Sequence, residues 1–140
     1  MTRFRLRSAM VPEDDIHAAV AKALDLLLLP PAQWTTFPAG GYKLPPAAAA
    51  RLARIGLKKN WPDVLVVHGS VYGIELKRAD GRLSRARVVR RKNGSLRMVE
   101  GQEDVFPRLR AAGMKIEVCR SVDEVLAALR KWDVPLRTIT

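Results

Sequence analysis

The chain has 140 residues, enough for one domain with its own core, and its hydrophobic fraction of 48% argues against disorder. Lysine and arginine outnumber aspartate and glutamate by 25 to 14, which gives a formal net charge of +11. This excess predicts a polyanionic partner, nucleic acid before membrane, and a merely soluble basic surface is the alternative. The single cysteine, Cys119, excludes an intramolecular disulfide and a thiolate zinc cluster.

The first helix is predicted to follow a basic arm of residues 1 to 11. Pro12 suits a first helical turn, and the acidic residues 13 to 15 suit the positive end of the helix dipole. Pro30-Pro31 then ends the helix. Its apolar stripe comprises Ile16, Val20, Leu24, Leu27 and Leu28.

The next part of the chain predicts a loop and a second short helix. The stretch "TTFPAGGYKLPP" is rich in proline and glycine, which is typical of a loop. A helix from about Ala47 to Ile55 follows and ends at Gly56. The helix carries Arg51 and Arg54, and Lys58 and Lys59 lie just beyond it.

The second half of the chain alternates strands and helices. Residues 64–67 and 71–76 predict two strands, residues 102–112 a helix, and "KIEVC" a strand. Ser121 and Glu124 form a capping box for a last helix. This order predicts an α/β fold with a central mixed β-sheet flanked by helices. The longest apolar stretch is too short to span a bilayer, and we expect a cytoplasmic protein with no membrane partner.

Charged residues accompany the two central strands. If Val67 pairs with Val71 across a three-residue turn, the same register sets Asp63 opposite Glu75. Two facing carboxylates repel, so a cation is expected between them, and oxygen ligands suit Mg²⁺ or Mn²⁺. Lys77 shares the face of Glu75. The alternative is that Asp63 caps a turn while Glu75 and Lys77 form a solvent-facing ion pair.

Pro62-Asp63 followed by "ELK" resembles the signature of the PD-(D/E)xK nucleases. The surrounding sequence is similar to one branch of that superfamily, the VRR-Nuc (virus-type replication-repair nuclease) domain. The likeness covers about residues 12 to 132 and rests on "PEDDIHAAVAKAL", "FPAGGYK", "AARLARIGLKKNWPD", "YGIELKRADGRLS" and "GQEDVFPRLRAAGMKIEVCRSVDEVLAAL". The resemblance implies a restriction-endonuclease-like core over residues 12–134, with a C-terminal tail at 135–140.

The resemblance also implies roles for individual residues. A Mg²⁺ or Mn²⁺ ion would be held by Glu13, Asp63, Glu75 and the Leu76 carbonyl. Lys77 would be the catalytic lysine, with Gln102 holding a substrate phosphate or a water. In many members this glutamine follows a Leu-Ser step closely, whereas residues 85–100 intervene here. His17, four residues after Glu13, is either a neighbour of the metal or a partly buried structural residue.

A metal-dependent deoxyribonuclease is the activity that the resemblance implies. Stand-alone members of the family further imply a homodimer acting on branched DNA such as a four-way junction. A non-catalytic nucleic-acid-binding module that kept the fold is the alternative from another class. An RNA-directed nuclease is a third possibility.

Residues 85–100 predict an inserted basic β-hairpin. Asn93-Gly94 is a strong hairpin signal, and a two-residue turn there would place Arg90 opposite Arg97. That register sets Val89, Leu96 and Met98 on one face and Arg90, Lys92 and Arg97 on the other. From residue 82 to 97 there are seven cations and no acid, which predicts phosphate contacts rather than a solvated edge hairpin. The expected DNA contacts are Lys43, Arg51, Lys58, Lys59, Arg90, Arg91, Lys92 and Arg97.

Overall fold

The computed structural model describes residues 11–37 and 44–138, and within them it contains helices and strands in alternation. In chain order these are α1 (Glu13–Leu27), β1 (Gln33–Thr36), α2 (Pro46–Arg54), β2 (Val64–Val67), β3 (Val71–Leu76), β4 (Arg87–Arg90), β5 (Leu96–Val99), α3 (Gln102–Ala111), β6 (Lys115–Cys119) and α4 (Val122–Lys131). The predicted fold class is confirmed: the protein is α/β, consistent with a restriction-endonuclease-like core.

The central sheet has four strands in the order β1-β2-β3-β6. β1, β2 and β3 are antiparallel neighbours, whereas β6 is parallel to β3 after a crossover that includes α3. The sheet is therefore mixed. The predicted pairings of Val67 with Val71 and of Leu65 with Gly73 are confirmed. His68 N–H donates to the Ser70 carbonyl at 3.0 Å and closes the turn between the strands.

Helices α1 and α4 pack over one face of the sheet. Their buried apolar residues, such as Leu24 and Leu129, join Ile74 and Leu76 of β3 in one cluster. Burying each such side chain contributes about 1.5–3 kcal/mol. The buried α3 residues Val105 and Phe106 lie outside that cluster. Glu75, which alternates with Ile74 and Leu76, faces the α3 side, where it contacts the first residue of that helix.

Strand β1 was not predicted, because Thr35 and Thr36 were assigned to the loop that follows. The four residues "QWTT" contain no apolar alternation, and three of them are exposed. β1 is nevertheless an edge strand, since Thr35 pairs with Leu65 and Thr36 pairs with Val64. Pairing with a buried strand, rather than its own pattern, orders this segment.

Strands β4 and β5 form a separate two-stranded antiparallel sheet, and the register predicted for it is wrong by one residue. Arg90 lies opposite Leu96, not opposite Arg97. Arg91 N–H donates to the Ser95 carbonyl at 2.7 Å, which leaves three residues in the turn instead of two. Because a slip of one residue exchanges the faces, Arg90 and Arg97 point to opposite sides of the ribbon.

The C-terminal segment of the described chain pairs with the residues that end α1. Leu29 N–H donates to the Pro135 carbonyl at 3.0 Å, and Arg137 N–H donates to the Leu27 carbonyl at 2.7 Å. The segment assigned to a C-terminal tail is thus tied to the end of α1. Residues 1–10 of the predicted basic arm and Lys43 lie outside the described residues. In the described ranges, every helix is too short or too polar to cross a membrane.

Candidate functional site

Asp63 is held at the entrance of β2 by its two neighbouring strands. The residue is 8% exposed, and its Oδ2 accepts a hydrogen bond from Leu76 N–H at 2.8 Å. Its carbonyl accepts from Phe37 N–H at 2.7 Å and from the Thr36 hydroxyl at 3.0 Å. β1 therefore fixes the backbone of Asp63, and β3 fixes the carboxylate.

A close contact between Pro62 and Gly73 presses the Pro62-Asp63 pair against β3. Pro62 is fully buried, and a Cβ at Gly73 would lie 2.6 Å from Pro62 Cγ. Glycine is therefore required at this position of the strand for lack of space, whatever its backbone angles. This contact was not predicted, although a glycine inside an apolar strand is the signal that indicates such an approach.

Glu75 is the most deeply buried acid of the site, with 2% of its surface exposed. Its Oε1 accepts from Gln102 Nε2 at 2.8 Å and lies 3.8 Å from Lys77 Nζ. Its Oε2 has no hydrogen-bond partner among the described residues. Burial, followed by the negative charge of the adjacent Asp63, raises the pKa of Glu75 to about 9, against the opposing effects of Lys77 and Gln102.

Lys77 continues β3 beyond Glu75 and is anchored by β6. Its backbone N–H donates to the Cys119 carbonyl at 3.0 Å. Its side chain is 15% exposed, so the ammonium group is partly shielded from water beside a buried carboxyl group. The Leu76 side chain is fully buried in the core between these two residues. A metal-binding role for its carbonyl stays a prediction.

Gln102 reaches Glu75 even though residues 85–100 intervene after Ser84. Gln102 N–H donates to Ser84 Oγ at 2.9 Å, and Ser84 N–H donates to Gln102 Oε1 at 3.2 Å. A Cβ at Gly101 would collide with the backbone of Ser84 and Arg85. The residues that flank the insertion, Ser84 and Gln102, therefore lie next to each other. Ser84 was not among the predicted site residues.

The N-terminal end of α1 brings two more groups to Asp63. His17 Nε2 lies 3.6 Å from Asp63 Oδ2 and 3.9 Å from Glu13 Oε1. One ligand atom from each of these three residues lies within 4.8 Å of the others, close enough for one cation to contact all three. The sequence favours a structural role for His17 over a place beside the metal, and its spacing of four residues from Glu13 is the signal that indicates the latter.

Comparisons with known proteins give no match for this chain. No family model, curated protein or solved structure matches the chain. The chemistry of the site therefore has to be inferred from its own side chains. They combine two adjacent buried carboxyl groups, a neighbouring lysine and amide, and a partly exposed acid and histidine on α1.

Some of the predicted phosphate contacts line one groove, and others do not. Lys58, Lys59 and Arg97 line a cavity of about 580 Å³ between the segment before Asp63 and the β4–β5 ribbon. Asn60 Nδ2 donates to the Glu100 carbonyl at 3.0 Å and joins these two walls. The remaining described cations of that prediction are exposed outside the groove lining: Arg51, Arg90, Arg91 and Lys92.

Proposed function

We propose that this protein is a metal-dependent DNA endonuclease of the VRR-Nuc type. The observation that carries the proposal is the buried pair of Asp63 and Glu75, in which Glu75 Oε2 has no hydrogen-bond partner among the described residues. An unpaired polar atom at this depth costs free energy unless a ligand satisfies it. A divalent cation is a ligand that satisfies the oxygen and offsets the repulsion between the two carboxylates.

The side chains around this pair fit such a cation. Asp63 would join two groups of ligands: Glu75, beside it in the buried pair, and Glu13 with His17, whose ligand atoms lie within 4.8 Å of its own. Carboxylate oxygens suit Mg²⁺ and Mn²⁺, and an imidazole ligand is accepted more readily by Mn²⁺. The raised pKa of Glu75 agrees with the same interpretation, because a bound cation would take the place of the proton that the carboxyl group otherwise keeps.

Each remaining residue has a role that follows from its position. A bound Mg²⁺ or Mn²⁺ would polarise a phosphate oxygen and make a water molecule more acidic. Lys77 places a positive charge where negative charge develops on the phosphate or on the attacking water. Gln102 orients Glu75 by donating to its Oε1. Ser84 in turn holds both the backbone and the side-chain oxygen of Gln102.

DNA is the substrate class that the charge of the molecule favours. The net charge of +11 and the basic groove containing Lys58, Lys59 and Arg97 suit a phosphate backbone. We further propose a homodimer that acts on branched DNA, because two active sites suit paired incisions at a junction. This finer proposal is supported by the resemblance of the sequence motifs and by the basic ribbon.

The test is a cleavage assay on a panel of nucleic acids. Purified protein is incubated with linear, flap and four-way-junction DNA and with a single-stranded RNA, each with Mg²⁺, with Mn²⁺ and with chelator. We expect metal-dependent cutting that is fastest on the junction. Asp63→Asn, prepared in parallel, controls for a contaminating nuclease. It keeps an oxygen that can accept the Leu76 N–H but removes the charge.

The outcomes of this assay are distinct. Metal-dependent cutting by the wild type but not by Asp63→Asn supports the proposal. Cutting of RNA alone would replace DNA with RNA as the substrate. Binding without cutting of any substrate would show that the chain is a nucleic-acid-binding module.

A further inference from the structure

The β4–β5 ribbon carries an exposed apolar face. Its register pairs Val88 with Met98 and Arg90 with Leu96, so all four side chains lie on one side of the ribbon. Val88, Leu96 and Met98 are 57%, 63% and 67% exposed. We call these three residues the apolar ribbon face.

The apolar ribbon face is largely open to solvent, although Met98 also lines the groove with Arg97 and Val99. The half-buried valines of the ribbon, Val89 and Val99, belong to its other face, and Val99 lines the groove beside Lys58. The apolar ribbon face therefore adds little to folding. Three neighbouring large apolar side chains on an otherwise strongly charged segment indicate a contact surface.

The surrounding charge selects the occupant of this surface. Every charged residue from 82 to 99 is a cation: Arg82, Arg85, Arg87, Arg90, Arg91, Lys92 and Arg97. A second copy of the ribbon would bring the same positive charges into contact and would be repelled. A nucleic acid is complementary, since its phosphates are anionic and its bases offer apolar faces.

Regular duplex DNA does not expose those faces, because its bases are stacked on one another. Bases become accessible to an apolar side chain where stacking is interrupted, as at a branch point, a gap or a kinked step. Arg90, on the same side as the apolar ribbon face, Arg91, which flanks the turn, and Lys92 within the turn are placed to hold the flanking phosphates.

We propose that the apolar ribbon face packs against unstacked bases at the branch point of the DNA substrate. This inference rests on the proposed function for its substrate and assigns the choice of branched over linear DNA to the ribbon. The basic groove then provides affinity without distinguishing the two forms of DNA.

The test compares binding of a four-way junction with binding of a duplex of equal length, both in chelator so that no cutting occurs. The variant Val88→Thr/Leu96→Thr/Met98→Thr keeps β-forming residues while removing most of the apolar surface. We expect junction affinity to fall about tenfold or more, as for the loss of base contacts, with duplex affinity and salt dependence unchanged. A fluorescent 2-aminopurine at the branch point should lose its response to the protein.

Two further variants keep the test decisive. Leu26→Gln removes a side chain of similar exposure, 65%, from α1 and should leave the junction preference unchanged. Leu96→Trp keeps an apolar, stacking side chain on the ribbon and should retain or strengthen the preference, even if the triple variant fails to fold.

An unchanged junction preference in a folded triple variant would overturn the inference and leave the nuclease proposal intact. A change from dimer to monomer in sedimentation would also overturn it, because the occupant would then be a second copy. If the triple variant loses its preference for the junction while the wild type cuts no DNA, the role of the apolar ribbon face is supported and only the nuclease proposal is rejected.

Discussion

Ser84 and Gln102 are joined by two hydrogen bonds, of 2.9 and 3.2 Å, although residues 85–101 separate them in the chain. Gln102 donates in turn to Glu75 Oε1 at 2.8 Å. Both ends of the ribbon insertion are therefore connected to the most buried acid of the candidate site. An arrangement of this kind allows an insertion of this length without displacing the glutamine.

The first prediction concerns Gln102 as a positioning residue. Gln102→Ala should raise the metal concentration needed for half-maximal cleavage about 10–100-fold, as is usual when a group that orients a metal ligand is lost. Ser84→Ala should act in the same direction with a smaller effect, since it acts through Gln102. Mn²⁺ binding measured by electron paramagnetic resonance checks this independently of cleavage. Unchanged Mn²⁺ affinity in Gln102→Ala would limit Gln102 to packing.

The second prediction concerns the paired acids. Asp63→Ala and Glu75→Ala should each abolish metal-dependent cleavage while the protein remains folded, because either change removes a proposed metal ligand. Cleavage assays with circular dichroism on the same preparations check both parts. A variant that cuts at the wild-type rate would exclude its residue from the site.

The sequence predicts the part of the fold that depends on local patterns. The apolar stripe of α1, the Ser121 cap of α4 and the pairing of Val67 with Val71 follow from periodicity and turn length. β1 could not be predicted in this way, because an exposed "QWTT" is ordered by its pairing with β2. The ribbon register was missed because Asn93-Gly94 also suits a three-residue turn, in which Gly94 takes the positive φ of the last position.

The candidate site was predicted where its residues lie within one hairpin, and missed where it depends on tertiary contacts. The proximity of Asp63 to Glu75 follows from the register of β2 and β3 alone. The proximity of Ser84 to Gln102 and the packing of Pro62 on Gly73 arise only when distant segments meet. His17 is intermediate, since its spacing from Glu13 was visible but its distance of 3.6 Å from Asp63 was not.

A third prediction follows from the pKa of Glu75, which burial and Asp63 raise to about 9. The folded state therefore keeps a proton that the unfolded chain loses near its ordinary pKa of 4.5. This contribution to stability is complete below the unfolded pKa and is lost as the pH rises toward the folded one. In chelator, the free energy of unfolding should fall by up to about 1.4 kcal/mol per pH unit within that window.

Glu75→Gln is the matched control for that titration, because the amide imitates the protonated carboxyl group and does not titrate. Its free energy of unfolding should be flatter between pH 5 and pH 9, and it should exceed that of the wild type at the alkaline end. Denaturant unfolding across this range provides the comparison. Parallel pH profiles for the two proteins would mean that Glu75 is ionised in the folded state.

The fourth prediction concerns the basic ribbon. Replacing Arg90, Lys92 and Arg97 with Ser should weaken DNA binding and reduce the slope of log affinity against log salt by about 1–3, since fewer counterions are released. Because Arg90 and Arg97 lie on opposite faces, single variants should divide this effect unequally. Lys22→Ser, which removes an exposed cation from α1, is the control. An unchanged slope in the triple variant would show that the ribbon does not contact phosphate.

The last prediction separates a nuclease from a binding module at Lys77. In a binding module this lysine is one cation among 25 basic residues, and its loss should cost only a little affinity. In a nuclease its ammonium, 3.8 Å from Glu75 Oε1, acts mainly where charge builds during phosphoryl transfer. Lys77→Met keeps the apolar stem, so DNA and Mn²⁺ binding should stay near normal while single-turnover cleavage falls about a hundredfold or more. Equal cleavage by Lys77→Met and an active wild type would reject this role, and it would leave the metal and its carboxylates as the remaining source of catalysis.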